Sequence, residues 1–88
     1  MSKKEHLIKY IEHAIIMKHK YLAVVIENDN ANSINIIEYH LFGGYINDIE
    51  DLFGDELISL HIDNIKIVDY VSCNNFELIQ VMTEKYLN

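Results

Sequence analysis

The stretch Tyr21 to His40, YLAVVIENDNANSINIIEYH, decides the fold. Its opening, Tyr21 to Glu27, is apolar and rich in β-branched side chains, as in a central strand covered on both faces. Asn28 to Ser33 is turn chemistry, because Asn, Asp and Ser side chains hydrogen-bond their own backbone. Ile34 to His40 reads as a second strand, and the two predict a hairpin.

Outward from the hairpin, three segments open with a polar cap followed three residues later by Glu: Ser2/Glu5, Asn47/Glu50 and Asn74/Glu77. In such a box the cap oxygen takes an orphan N–H of the first turn, and the Glu reaches back to the cap's own N–H. An apolar period of about 3.6 residues follows each box, predicting helices over 3–19, about 48–60, and 75–87. The apolar stripe of the first is Leu7, Ile8, Ile11, Ala14 and Ile15. That of the second is Ile49, Leu52, Phe53, Leu57 and Leu60, and that of the third Phe76, Ile79, Met82 and Tyr86. Gly54 lies inside the second at a cost of about 1 kcal/mol against Ala, so a break there competes with a continuous helix. A third strand spans about Asn64 to Cys73, with Ile65, Ile67 and Val71 on one side and Val68 and Tyr70 on the other. The expected fold class is α+β: a single domain over 1–88 in the order α-β-β-α-β-α. Helices cover a three-stranded mixed sheet of order 2-1-3, the third strand parallel to the second and antiparallel to the first.

A chain of 88 residues and 10.3 kDa has room for one domain, marginal alone and helped by association. Lysines number 7 against 14 acidic residues, Arg is absent, and the net charge is −7. That balance disfavours direct contact with nucleic acid or an anionic membrane, both of which need clustered basic side chains. The single Cys73 forms no internal disulfide and suits a reducing compartment. No apolar run is long enough to span a bilayer, and no apolar leader follows Lys3 and Lys4. A cytoplasmic protein is expected. Abundant Ile, Asn and Tyr beside an absence of Pro and Arg read as the product of an AT-rich genome.

The residue types that carry chemistry fail their spacing tests. His6 and His13 lie about 10.5 Å apart along a helix, too far for one ion. Asn28, Asn30 and Asn32 match the first ligand positions of a calcium loop, but Ser33 and Tyr39 stand where Gly and a bidentate Glu are needed. No metal and no cofactor is expected. Gly43 and Gly44 fit no phosphate-loop pattern and read as a tight chain reversal. The nucleophile candidates Cys73, Ser33, Ser59, Ser72 and Thr83 carry no neighbouring motif, so no catalytic residue is assigned. A Cys73/His pair could arise only through tertiary contacts.

Charge is the feature above background. Residues 1–20 carry +3, whereas Tyr21 to Ile65 holds no basic residue and carries −9. On the second predicted helix, Asp48, Asp51 and Asp55 share the face opposite the apolar stripe, with Ile58 beside them, and Glu56 is counted with these as a partner-binding residue. Their axial spacings of about 4.5 and 6 Å are of the order of the phosphate repeat in nucleic acid. Ile16, Ile58 and Val81 fall outside their helices' stripes, which together with small size predicts a homo-oligomer, most simply a symmetric dimer with Ile16 and Val81 at its interface.

The blocks EHLIKYIEHA, KYLAVVIE and NIKIVDY, in that order, resemble small accessory proteins carried by phages and prophages of low-GC Gram-positive bacteria. The resemblance implies an accessory product acting in the bacterial cytoplasm on a host enzyme or defence system. With the acidic face, it makes an inhibitor the first expectation: a protein that occupies the nucleic-acid site of a host or defence protein, in an anti-CRISPR-like role. An oligomeric sponge for a signalling nucleotide comes second, needing lysines to converge without the bidentate fork of Arg. A phage structural or assembly protein is third.

Overall fold

A computed structural model of the chain describes residues 1–87, the side chains of Thr83 and Leu87 excepted. The elements are α1 (Lys3–Ile16), β1 (Tyr21–Asn28), β2 (Ala31–Glu38), a 3₁₀ turn (Tyr39–Leu41), α2 (Phe42–Leu52), β3 (Ile65–Cys73) and α3 (Phe76–Leu87). This is the α-β-β-α-β-α order expected, and the sheet order is β2-β1-β3. Both ladders are antiparallel. The sheet is therefore not mixed: β2 and β3 run the same way, but β1 separates them.

The hairpin turn is shorter than the sequence suggested. Asp29 and Asn30 take φ of 51° and 70°, the two-residue connection whose twist matches that of its strands. Pairing then begins at Asn28↔Ala31, so β2 occupies Ala31–Glu38 instead of Ile34 to His40. β1 is covered on both faces, as expected. Leu22 and Val24 join Leu7, Ile11, Ile37, Phe42, Ile49 and Ile67 beneath α1 and α2. Ala23 meets Cys73 and Ile79 beneath α3.

β3 corrects the expected alternation. Its pairing to β1 shifts between Val25 and Ile26, leaving Val68 as an extra residue. Such a bulge reverses the side-chain phase. Ile67 and Tyr70 consequently share the α1/α2 side, while Val71 and Cys73 face α3.

Helix ends follow local chemistry. The Ser2/Glu5 box forms: Glu5 N–H donates to Ser2 Oγ at 3.1 Å, and Ser2 N–H and the Ser2 hydroxyl donate to Glu5 Oε1, which holds the Glu5 carboxyl below its ordinary range. α1 stops at Ile16, short of residue 19, because Lys18 turns left-handed at φ 57° and the N–H groups of Lys18 and His19 close on Ile15 O and Ala14 O. The cap of α3 is Asn75, whose Oδ1 accepts Glu77 N–H at 2.9 Å. Asn74, expected in that role, accepts Lys20 N–H instead.

The second helix departs most from expectation. It runs over Phe42–Leu52, so Asn47 lies in mid-helix, Asn47/Glu50 is no capping box, and the break before Gly54 is real. Gly43 and Gly44 make no tight reversal; they are helical, with φ negative. The 3₁₀ turn feeds the chain directly into the helix, and Phe42 anchors it in the core. Leu52 and Leu60 are exposed, Leu60 by 61%. A Cβ at Gly43 or Gly44 would meet nothing within 4 Å. Gly43→Ala and Gly44→Ala should therefore each stabilise the fold by about 0.5–1 kcal/mol, raising Tm by roughly 2–8 °C. Unchanged melting curves would mean that this first turn is not held in the folded ensemble.

Candidate functional site

The acidic residues separate into two groups. Asp48 and Asp51 lie one turn apart on α2, whereas Asp55 and Glu56 occupy the turn beyond it. The expected phosphate-like spacing thus holds from Asp48 to Asp51 and fails at Asp55, because the helix has ended. Asp48 borders a shallow groove of about 290 Å³ with Ile37, Leu41, Gly44 and Tyr45. Burial pushes the Tyr45 hydroxyl up to about 12; the Asp48 charge adds to the rise and a hydrogen bond to Asn35 opposes it.

The basic N-terminus folds onto this acidic region. Lys3 Nζ pairs with Glu56 at 3.6 Å. Lys4 Nζ donates to Phe53 O at 3.0 Å and Glu50 O at 3.3 Å, and Lys4 N–H donates to Asp55 O. An ammonium thus sits on carbonyls at the C-terminal end of α2, where the helix dipole favours a cation. Among the described residues no ion pair engages Asp48, Asp51 or Asp55, and all three are exposed.

Ile58 is exposed beside a backbone bridge to β3, made by Ser59 N–H to Ile65 O at 2.8 Å and Ile67 N–H to Leu57 O at 2.9 Å. It lines a groove of about 530 Å³ whose apolar floor includes Ile67, Val68 and Tyr70, with Lys3 and Lys66 at its sides. Both lysines already have carboxylate neighbours, Lys66 meeting Glu27 at 3.5 Å. Sequence reading did not find this groove, because Lys3 and Lys66 meet only through the bridge. Ile16 and Val81 are 74% and 63% exposed, on helices that cover opposite faces of the sheet.

Tertiary contacts bring a histidine to Ser72, another of the nucleophile candidates, not to Cys73. His19 Nδ1 lies 2.6 Å from Ser72 Oγ, while the buried Cys73 Sγ donates to Asn75 O. A hydroxyl beside an imidazole is the start of a nucleophile–base pair. Here Ser72 is also held by Tyr10, whose hydroxyl accepts Ser72 N–H at 2.9 Å, so the group fastens α1 to the edge of β3. Thr83, also among the nucleophile candidates, has its side chain outside the described residues. Among the described residues no cluster of three or more His, Cys, Asp or Glu could hold a metal ion, and no helix is long and apolar enough to cross a membrane.

No family model, no curated protein and no solved structure matches the chain.

Proposed function

We propose that the protein binds a host or defence protein through Asp48, Asp51 and Asp55, with Glu56 and Ile58 at the margin, and so keeps nucleic acid out of that partner's basic groove. The observation that carries this reading is that the three aspartates are exposed and outside every ion pair among the described residues, while Lys3 pairs with Glu56 and Lys4 bonds to the Phe53 and Glu50 carbonyls. Leaving them unpaired keeps a negative field available to steer a basic surface. The protein acts in the cytoplasm of a bacterial host, as a self-associated species and not as a catalyst.

The test is a triple neutralisation, Asp48→Asn, Asp51→Asn and Asp55→Asn, assayed against the partner recovered from host lysate. Binding should fall by about tenfold or more, with little loss of stability, since exposed substitutions of this kind usually stay within ~0.5 kcal/mol. Wild-type binding should weaken steeply with salt, and nucleic acid should compete. Ser2→Ala is the stability control, because it breaks the α1 cap and leaves the acidic face intact. Unaltered affinity of the triple variant, or failure of nucleic acid to compete, would overturn the reading.

The Lys3/Lys66 groove favours one second reading, a sponge for a signalling nucleotide: an apolar floor would receive the base and the ammoniums the phosphates. Calorimetric titration with cyclic dinucleotides distinguishes it, since the inhibitor reading expects no heat of binding.

A further inference from the structure

The two edges of the sheet are treated differently. Along β3, the outward N–H of Ile67 donates to Leu57 O, that of Tyr70 to Asp69 Oδ1 at 2.8 Å, and that of Ser72 to the Tyr10 hydroxyl. The bulge at Val68 further spoils that edge as a template. β2 has none of these devices. Tyr39 N–H donates to Lys20 O, one step beyond the pair Tyr21↔Glu38. Antiparallel ladders alternate, so the backbone groups of Asn32, Ile34, Ile36 and Glu38 point away from β1. Among the described residues no hydrogen bond is found for these outward N–H groups. From Ala31 to Ile37 the strand carries no charge, proline or glycine.

We infer that this edge takes β2 of a second copy of the chain, antiparallel, joining the two sheets into one. Only registers that oppose outward residues to outward residues can bond. A two-fold axis through Asn35 uses all of them, pairing Ile34 with Ile36 of the second copy and Asn32 with its Glu38. Equal charges stay apart: the two Glu38 residues fall about 20 Å from each other at about 3.4 Å per residue, well beyond the screening length of about 8 Å. A chain of net charge −7 thus meets itself along its uncharged strand. The axis keeps both α3 helices on one face. There Ile36, 41% exposed, and Phe76 line an open groove beside the edge, which Ile34 and Ile36 of the second copy extend as an apolar strip. Ile16 and Val81 take no part. The inference deepens the self-association proposed above by naming its surface, and it stands without any partner protein.

The experiment is sedimentation of the purified chain at roughly 100 µM, where mass action favours the associated form, with amide hydrogen exchange read residue by residue. A species of twice 10.3 kDa is expected. Exchange at Ile34 and Ile36 should slow about tenfold or more with concentration. Ile36→Lys puts a charge on the edge and should give a monomer; Ile36→Thr, still β-branched, should keep the dimer, as should Ile16→Ser with Val81→Ser. A monomer at that concentration, a dimer that Ile36→Lys leaves intact, or concentration-independent exchange at Ile34 and Ile36 would each overturn the inference. If Ile36→Lys fails to fold, the wild-type exchange decides. Loss of the dimer on neutralising Asp48, Asp51 and Asp55 would also overturn it, whereas loss of partner binding alone leaves it standing.

Discussion

Phe42→Ala is expected to cost about 3–5 kcal/mol, the range for truncating a fully buried aromatic. Phe42 has no exposed surface, packs edge to face on Tyr39 with ring centroids 5.7 Å apart, and belongs to the cluster of Leu7, Ile11 and Ile49. A domain of 88 residues carries about 4–13 kcal/mol at ~0.05–0.15 kcal/mol per residue, so this change removes much of the total. Urea unfolding should show the midpoint falling by more than ~1 M, with a sloping native baseline if α2 detaches first. Leu52→Ala, at an exposed position of the same helix, should cost far less. Equal costs at the two sites would mean that α2 is rotated from the orientation described.

The same comparison explains why α2 was misplaced in the sequence. Its apolar period is genuine, but Ile49, Leu52, Phe53, Leu57 and Leu60 keep helical phase across a chain that stops being helical at Leu52. Ile49 and Leu57 are buried, and Leu57 reaches its place from a left-handed turn at φ 62°. At the other end, two glycines cost about 1 kcal/mol each in a helix, which reads locally as a stop. Burying Phe42 returns about 1.5–3 kcal/mol, comparable to the cost of the two glycines together, and no local pattern reveals that it is buried. Strand order was legible, because YLAVVIE is apolar on both faces and lies centrally in the sheet. The bulge at Val68 was not, since one extra residue imitates imperfect alternation.

For the candidate site, the sequence showed which carboxylates exist but not which are engaged. Asp55 looks equivalent to Asp48 at helical spacing, yet its carbonyl receives Lys4 N–H and its carboxylate stands off the helix. Lys3/Glu56, Lys66/Glu27 and His19/Ser72 join residues distant in the chain. Such pairings follow from topology, and spacing rules cannot reach them.

The division between a charge that merely neighbours the acidic stretch and one that closes a helix sets the remaining expectation. Lys4→Met should cost about 1.5–3 kcal/mol, the range for hydrogen bonds to a charged group. Methionine keeps an unbranched apolar stem but cannot donate, so Phe53 O and Glu50 O lose the ammonium at the end of α2. Lys3→Met removes the same unit of charge from an exposed pair with Glu56 and should cost no more than ~1 kcal/mol. Because both variants change the net charge equally, the difference between them isolates the cap from the general field. Salt separates them again: raising it should erase most of the Lys3 effect, which acts through solvent, and leave most of the Lys4 effect, which acts through direct hydrogen bonds. Paired urea titrations at low and high salt read both quantities. Equal losses at the two positions, vanishing together in salt, would mean that Lys4 contributes only its charge and that α1 and α2 are joined by apolar packing and the Lys4 N–H to Asp55 O bond alone.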